Sequence, residues 1–270
     1  MRYTREQVMQ RLWAEAEKSR LLGAGCSCGL IARCAEEAGA DLIICYSTGK
    51  SRLMGLPTSR LGDSNAITWQ MIEEIWNVTE STPIIAGLEA NDPFRLDLDR
   101  LLAKTAELGA SGIINFPSIV GLGDYYRHRR DKVGLGFERE VRMIAAAQKY
   151  GLFSMAYVYD VRDVESFTEA GVDCIVAHAG PTSGGVRGVA YDNKMEDAVE
   201  QVRLILERAR ELRPDVLVLA HGGPFSEPED MPVLYEKTCA QGFVGASSIE
   251  RIPIEKAVRD TVKRLKLRIE

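Results

Sequence analysis

The 270-residue chain has only three histidines and three tryptophans, and it has no excess of positive charge. Lys and Arg number 34 against 39 Asp and Glu, a formal net charge of −5. A weakly acidic chain lacks the field that attracts a phosphate backbone, which excludes nucleic acid as an expected partner. No apolar run approaches the roughly 18 residues of a membrane span, so no membrane partner is expected. The polar N-terminus carries neither an apolar core nor a small-residue cleavage site, and the sequence is read as cytoplasmic. Cysteines stand at 26, 28, 34, 45, 174 and 239. None has the CxxC spacing of a redox or zinc pair, so they are expected as free thiols. No nicotinamide or flavin fingerprint is present.

What the chain does have is repetition. Eight short apolar runs begin near Leu21, Asp41, Ile84, Gly112, Leu152, Asp173, Asp215 and Phe243, and segments of helical periodicity separate them. Continuous apolarity is expected of parallel strands covered on both faces. Between Met195 and Arg213, Ala198, Val202, Ile205, Ala209 and Leu212 form one helical stripe that Pro214 stops. The last helix repeats it with Ile254, Val258, Val262, Leu265 and Ile269, placing Lys and Arg on the outer face. A length of 270 suits one large domain or two ordinary ones, and eight strand-helix units select a single (β/α)8 TIM barrel over 1–270, with an extra N-terminal helix over 1–18. The first four strands and the last four are offset by 131 or 132 residues, which suggests half-barrels over 19–150 and 151–270.

In this fold chemistry belongs to the carboxyl ends of the strands. The second run ends near Arg52, a guanidinium suited to an oxyanion. The third delivers Glu89, a general base or metal ligand, while Asp92 before Pro93 reads as a turn residue. The fourth presents Asn115 and opens into a glycine-flanked loop, 121–136, that reads as a lid carrying His128 away from the pocket. The fifth ends at Tyr157-Val-Tyr159, and either hydroxyl could point inward. The other two histidines, His178 and His221, close the sixth and seventh runs and are the acid-base candidates. Gly222 and Gly223 follow the seventh run, and Ser247 and Ser248 follow the eighth. Barrels commonly hold a phosphate at these loops, so an anionic substrate end is expected here.

Gly87-Leu-Glu-Ala-Asn-Asp-Pro93, Asn115-Phe-Pro-Ser118, Gly134-Leu-Gly-Phe-Glu138, His221-Gly-Gly-Pro224 and Gly245-Ala-Ser-Ser-Ile-Glu-Arg-Ile-Pro253 together resemble the phosphoenolpyruvate hydrolase-like family of TIM-barrel proteins. The resemblance implies small oxo-acids or phosphonates such as phosphonopyruvate. The related phosphonopyruvate and isocitrate-lyase enzymes bind magnesium through an acidic strand-end cluster. That cluster has no residue-by-residue match here, so a divalent metal such as Mg is left open. The resulting expectation is a hydrolase or lyase that cleaves a C–C or C–P bond of a small oxo-acid and forms a homo-oligomer. Glu89, His178 and His221 would be catalytic. Arg52, Asn115, Tyr157, Gly222, Gly223, Ser247 and Ser248 would bind the small anionic substrate. The alternative is a sensor or binding module for a phosphorylated metabolite or nucleotide, which would keep the anion site without needing the histidines.

Overall fold

The computed structural model describes residues 2–186, 188 and 194–266. Eight parallel strands close into a barrel in sequence order. They are β1 (Leu21–Gly25), β2 (Leu42–Cys45), β3 (Ile84–Gly87), β4 (Gly112–Ile114), β5 (Phe153–Val158), β6 (Cys174–His178), β7 (Leu217–His221) and β8 (Gly242–Gly245). Closure is made by β1 against β8, with Leu21 opposite Gly242 and Ala24 opposite Gly245. Every apolar run of the sequence is a strand, and each begins within two residues of its expected start.

The helices are α1 (Arg5–Ala16), α2 (Gly29–Glu37), α3 (Ser47–Leu53), α4 (Ser64–Trp76), α5 (Leu98–Glu107) and α6 (Asp124–Asp131). They continue with α7 (Phe137–Ala147), α8 (Val164–Glu169), α9 (Met195–Leu212), α10 (Met231–Lys237) and α11 (Ile252–Leu265). Strand alternation sorts the side chains into two cores. Leu42, Ile44 and Tyr46 point into the barrel with Phe153, Met155, Tyr157, Val176 and Leu219. Ile43, Cys45, Ala156, Ile175 and Val218 point outward against the helices. Each such Leu, Ile or Val contributes about 1.5–3 kcal/mol by leaving water.

The N-terminal helix closes the amino end of the barrel, with Val8 and Leu12 joining the interior core. Thr4 and Gln7 form a reciprocal cap at its start. Arg5 holds the helix in place by donating from Nε and Nη2 to Asp173, at 3.0 and 2.7 Å. Cys26, Cys45 and Cys174 are buried free thiols, as expected. Their burial pushes the Cys45 thiol up to about 12 and raises Cys26 and Cys174 as well, so they are unreactive packing groups.

The last helix departs from expectation. Ile254, Val258, Val262 and Leu265 share one side of α11, as their spacing requires, but they are 39–78% exposed and do not pack on the barrel. Ile269 lies outside the described residues. Helical period fixes which residues share a face and not what the face meets. Here a wide turn over Ser247–Arg251 sets the departure of the helix, and Glu250 in that turn is tied to Arg52 and Ser27.

Candidate active site

A cavity of about 290 Å³ opens at the carboxyl ends of the strands, the size of a small organic acid rather than a large cofactor. Its floor is aromatic and imidazole. Interior parity along β6 and β7 brings Cys174, Val176 and then His178 inward on one strand, and Leu217, Leu219 and then His221 on the other. The two histidines face each other across the paired strand ends, with ring centroids 4.6 Å apart. Tyr159 stacks on His178 at 4.3 Å, and Tyr157 supports both rings from below at 5.0 and 4.9 Å.

Backbone groups fix the proton on each ring. The N–H of Gly180 donates to Nδ1 of His178 at 3.0 Å, so a neutral His178 carries its proton on Nε2. Nδ1 of His221 lies 2.6 Å from the carbonyl oxygen of Val244, which can only accept. His221 therefore keeps its proton on Nδ1 and presents a bare Nε2. Burial lowers His178 well below the ordinary imidazole range and lowers His221 to about 4, so both are neutral at pH 7. The floor thus holds one imidazole donor and one imidazole acceptor side by side.

The carboxylates around the cavity are already partnered. Glu89 meets Arg60 at 2.5 Å, and burial raises its pKa while Arg60 opposes the rise. Asp92 accepts from Arg95 at 2.6 Å and Asn65 at 3.0 Å, and its other oxygen takes the N–H of Phe94, the expected turn. Glu250 is buried against Arg52, whose Nε donates to it at 2.8 Å, and it also accepts from Ser27. Glu140 on α7 accepts from Asn115, Ser118 and the Ile119 N–H at 2.7–2.9 Å, and burial raises it to about 7. No three His, Cys, Asp or Glu side chains converge on a metal position among the described residues. The Nε2 proton of His178 also removes that ring as a ligand. Glu89 is the one carboxylate among the residues lining the cavity, and it is paired with Arg60.

The chain matches the phosphoenolpyruvate hydrolase-like family over residues 7–267. It belongs to that family. The chain is 36% identical over 268 residues to the ToMV resistance protein Tm-1(GCR237) of Solanum lycopersicum, an alignment covering 96% of this chain and 35% of that protein. It therefore spans about a third of that relative's length. Solved structures with the same fold include a phosphonopyruvate hydrolase complexed with oxalate and Mg++ (TM-score 0.62, 18% identity, 98% of this chain and 87% of that one). Another is 2,3-dimethylmalate lyase (TM-score 0.63, 17% identity, 98% and 88%). At these identities the likeness is one of fold.

On this member of the phosphoenolpyruvate hydrolase-like family, Glu89, His178, His221, Arg52 and Ser247 all line the cavity. Glu89 does not orient either histidine, because backbone groups do. Arg52 is neutralised by Glu250 and lies over the Tyr46 ring, so it braces the β2 and β8 loops rather than offering a free cation. Asn115 is not a cavity residue: its Nδ2 donates to Glu140, and its Oδ1 accepts the Tyr157 N–H at 2.7 Å, joining β4, β5 and α7. Tyr157 lies beneath the histidines, and Tyr159 is the ring of that pair that lines the cavity.

Gly222 and Gly223 are not among the residues lining the cavity. The Gly223 N–H donates to Gly180 at 2.8 Å, and its carbonyl accepts from Ser183, joining the loops that follow β6 and β7. A Cβ at Gly222 would collide with the Gly180 carbonyl, and φ is +75°. Gly222→Ala is expected to destabilise the fold by about 1–3 kcal/mol, measured by urea unfolding. Ser248 lies in the wide turn outside the cavity.

The segment 121–136 carries the helix α6, which sends Tyr126 and Arg130 into the cavity lining, while His128 stays outside it, as expected. Arg127 anchors the lid with a two-pronged contact to Asp163 at 2.8 and 2.9 Å. Sequence reasoning missed Arg60, Asn91, Arg130 and Glu140. Only their nearness to strand ends or to the glycine-flanked loop could have signalled them.

Proposed function

We propose that this protein is an enzyme that cleaves a carbon–carbon or carbon–phosphorus bond of a small oxo-acid. The observation that carries this reading is the pair of neutral histidines on the cavity floor with opposite proton placement. A substrate carbonyl oxygen accepts from His178 Nε2–H, which stabilises the negative charge that develops there. The bare Nε2 of His221 takes a proton from the attacking water or from a substrate hydroxyl, and returns it to the carbon that inherits the electrons of the broken bond. No step is routed through a metal ion. Aromatic walls at Tyr46, Phe116 and Tyr159 exclude water from the reacting centre. The family name and the activities in the names of the two structural neighbours support the same class of chemistry.

The test is a panel of oxo-acids, phosphonates and β-diketones, scored for both turnover and shift of the thermal midpoint. The expected result is stabilisation by at least one oxo-acid together with product formation. A ligand at 100 times its dissociation constant should add about 2.7 kcal/mol. Stabilisation by a phosphorylated metabolite without turnover of any panel member would favour the sensor reading instead.

A further inference from the structure

Three polar groups on the cavity wall lack partners. Thr48, Asn91 and Arg130 line the cavity, and Thr48 Oγ1, Asn91 Nδ2 and Arg130 Nε are buried without a hydrogen-bond partner among the described residues. Thr48 and Asn91 are 4% and 2% exposed. An unpaired buried donor is costly, so three around one cavity are a standing penalty that a ligand with acceptor oxygens would remove. They come from separate parts of the chain. Thr48 sits in the first turn of α3 after β2, Asn91 follows β3, and Arg130 belongs to the lid. One contact ties the last two together, because Arg130 Nη2 donates to the Asn91 backbone carbonyl at 2.9 Å. The guanidinium is thereby held beside the Asn91 amide.

We infer that Thr48, Asn91 and Arg130 form a carboxylate-binding subsite for the substrate, and that the lid closes through it. The inference rests on the oxo-acid reading and places the anionic end on this wall, away from the loops after β7 and β8. Two amide or guanidinium N–H groups and a hydroxyl match the acceptor-only character of a carboxylate. The other cations near the cavity do not compete. Arg52 is neutralised by Glu250, and Arg60 is paired with Glu89. Arg130 has no carboxylate partner among the described residues, so the lid brings the one unpaired guanidinium to the cavity. The substrate class becomes an oxo-acid bound by both ends, and an acid lacking the second oxygen function should bind more weakly.

The experiment is calorimetric titration of oxalate into the wild type, Arg130→Met, Asn91→Leu and, as a control on the same lid helix, Arg129→Met. Arg129 is exposed and lies over Tyr125, outside the cavity. The expected result is a dissociation constant raised at least tenfold in Arg130→Met and Asn91→Leu, little change in Arg129→Met, and partial recovery in Arg130→Lys. Thermal midpoints measured without ligand confirm that each variant is folded. Retention of wild-type oxalate affinity in both Arg130→Met and Asn91→Leu overturns the subsite. If the wild type binds inorganic phosphate but not oxalate, and Arg130→Met abolishes that binding, the anion subsite stands and the oxo-acid reading falls. If the wild type binds neither anion, both fall.

Discussion

His221→Gln is expected to lower kcat by about 10²–10⁴ with KM changed only a few-fold, because the substitution removes the proton acceptor while leaving the cavity wall in place. His178→Gln should cost less: a glutamine amide can still donate toward the carbonyl, although from a shifted position. Steady-state kinetics on whichever oxo-acid turns over would read both. Equal, small losses in both variants would remove the histidines from the chemistry.

The same residue gives a pH signature. In the proposed mechanism His221 acts as a neutral base, and burial lowers it to about 4, so the acidic limb of kcat/KM should fall near pH 4 rather than near pH 6.5. Stability follows the same linkage. With the folded pKa below the unfolded value, the unfolded chain binds the proton first. The stabilisation is complete above about pH 6.5 and is lost as pH falls toward 4, amounting to about 3 kcal/mol. Glu140, raised to about 7 by burial, contributes with the opposite sign over the same range, so the His221 loss is read as the change, between pH 7.5 and pH 4.5, in the difference between the wild-type and His221→Gln urea midpoints.

Glu250→Ala is expected to destabilise the protein by about 3–5 kcal/mol, because it strands the Arg52 guanidinium in an environment where both side chains are almost wholly buried. Desolvating two charges offsets most of their attraction, so the pair adds little net stability. Its asymmetry is what matters: removing one partner leaves the full burial cost of the other. Arg52→Met with Glu250→Leu should therefore recover most of the loss in chemical denaturation at pH 7. If the single and double variants were equally destabilised, the pair would be acting through packing of the Ser247–Arg251 turn rather than through charge.

The fold was legible in the sequence because its signals are local. A run such as Leu42 to Cys45 is a strand whatever its neighbours, Pro214 ends α9 wherever that helix lies, and Asp63 caps α4 through its own side chain. His178 and His221 were legible for a related reason: each closes a strand, and strand alternation turns both inward at the same level. The substrate-binding roles expected of Arg52, Asn115, Gly222 and Gly223 were not secure, because each depends on a partner far along the chain. Arg52 and Glu250 are 198 positions apart, and Asn115 and Glu140 are 25 apart. No spacing rule reports whether a guanidinium will find its carboxylate, or whether a glycine amide will face a ligand or a neighbouring carbonyl.

By itself, then, the amino-acid order determined eight parallel strands, a closed barrel, the end at which the cavity opens and the two histidines that share its floor. Those follow from hydrophobic period, strand alternation and the helix stops, all of which act over a few residues. The proton placement on each imidazole, the neutralisation of Arg52, the exposed face of α11 and the unpaired wall of Thr48, Asn91 and Arg130 were decided only by the tertiary structure. Each is a matter of which hydrogen-bond or packing partner arrives from a distant segment, and that is set when the barrel closes.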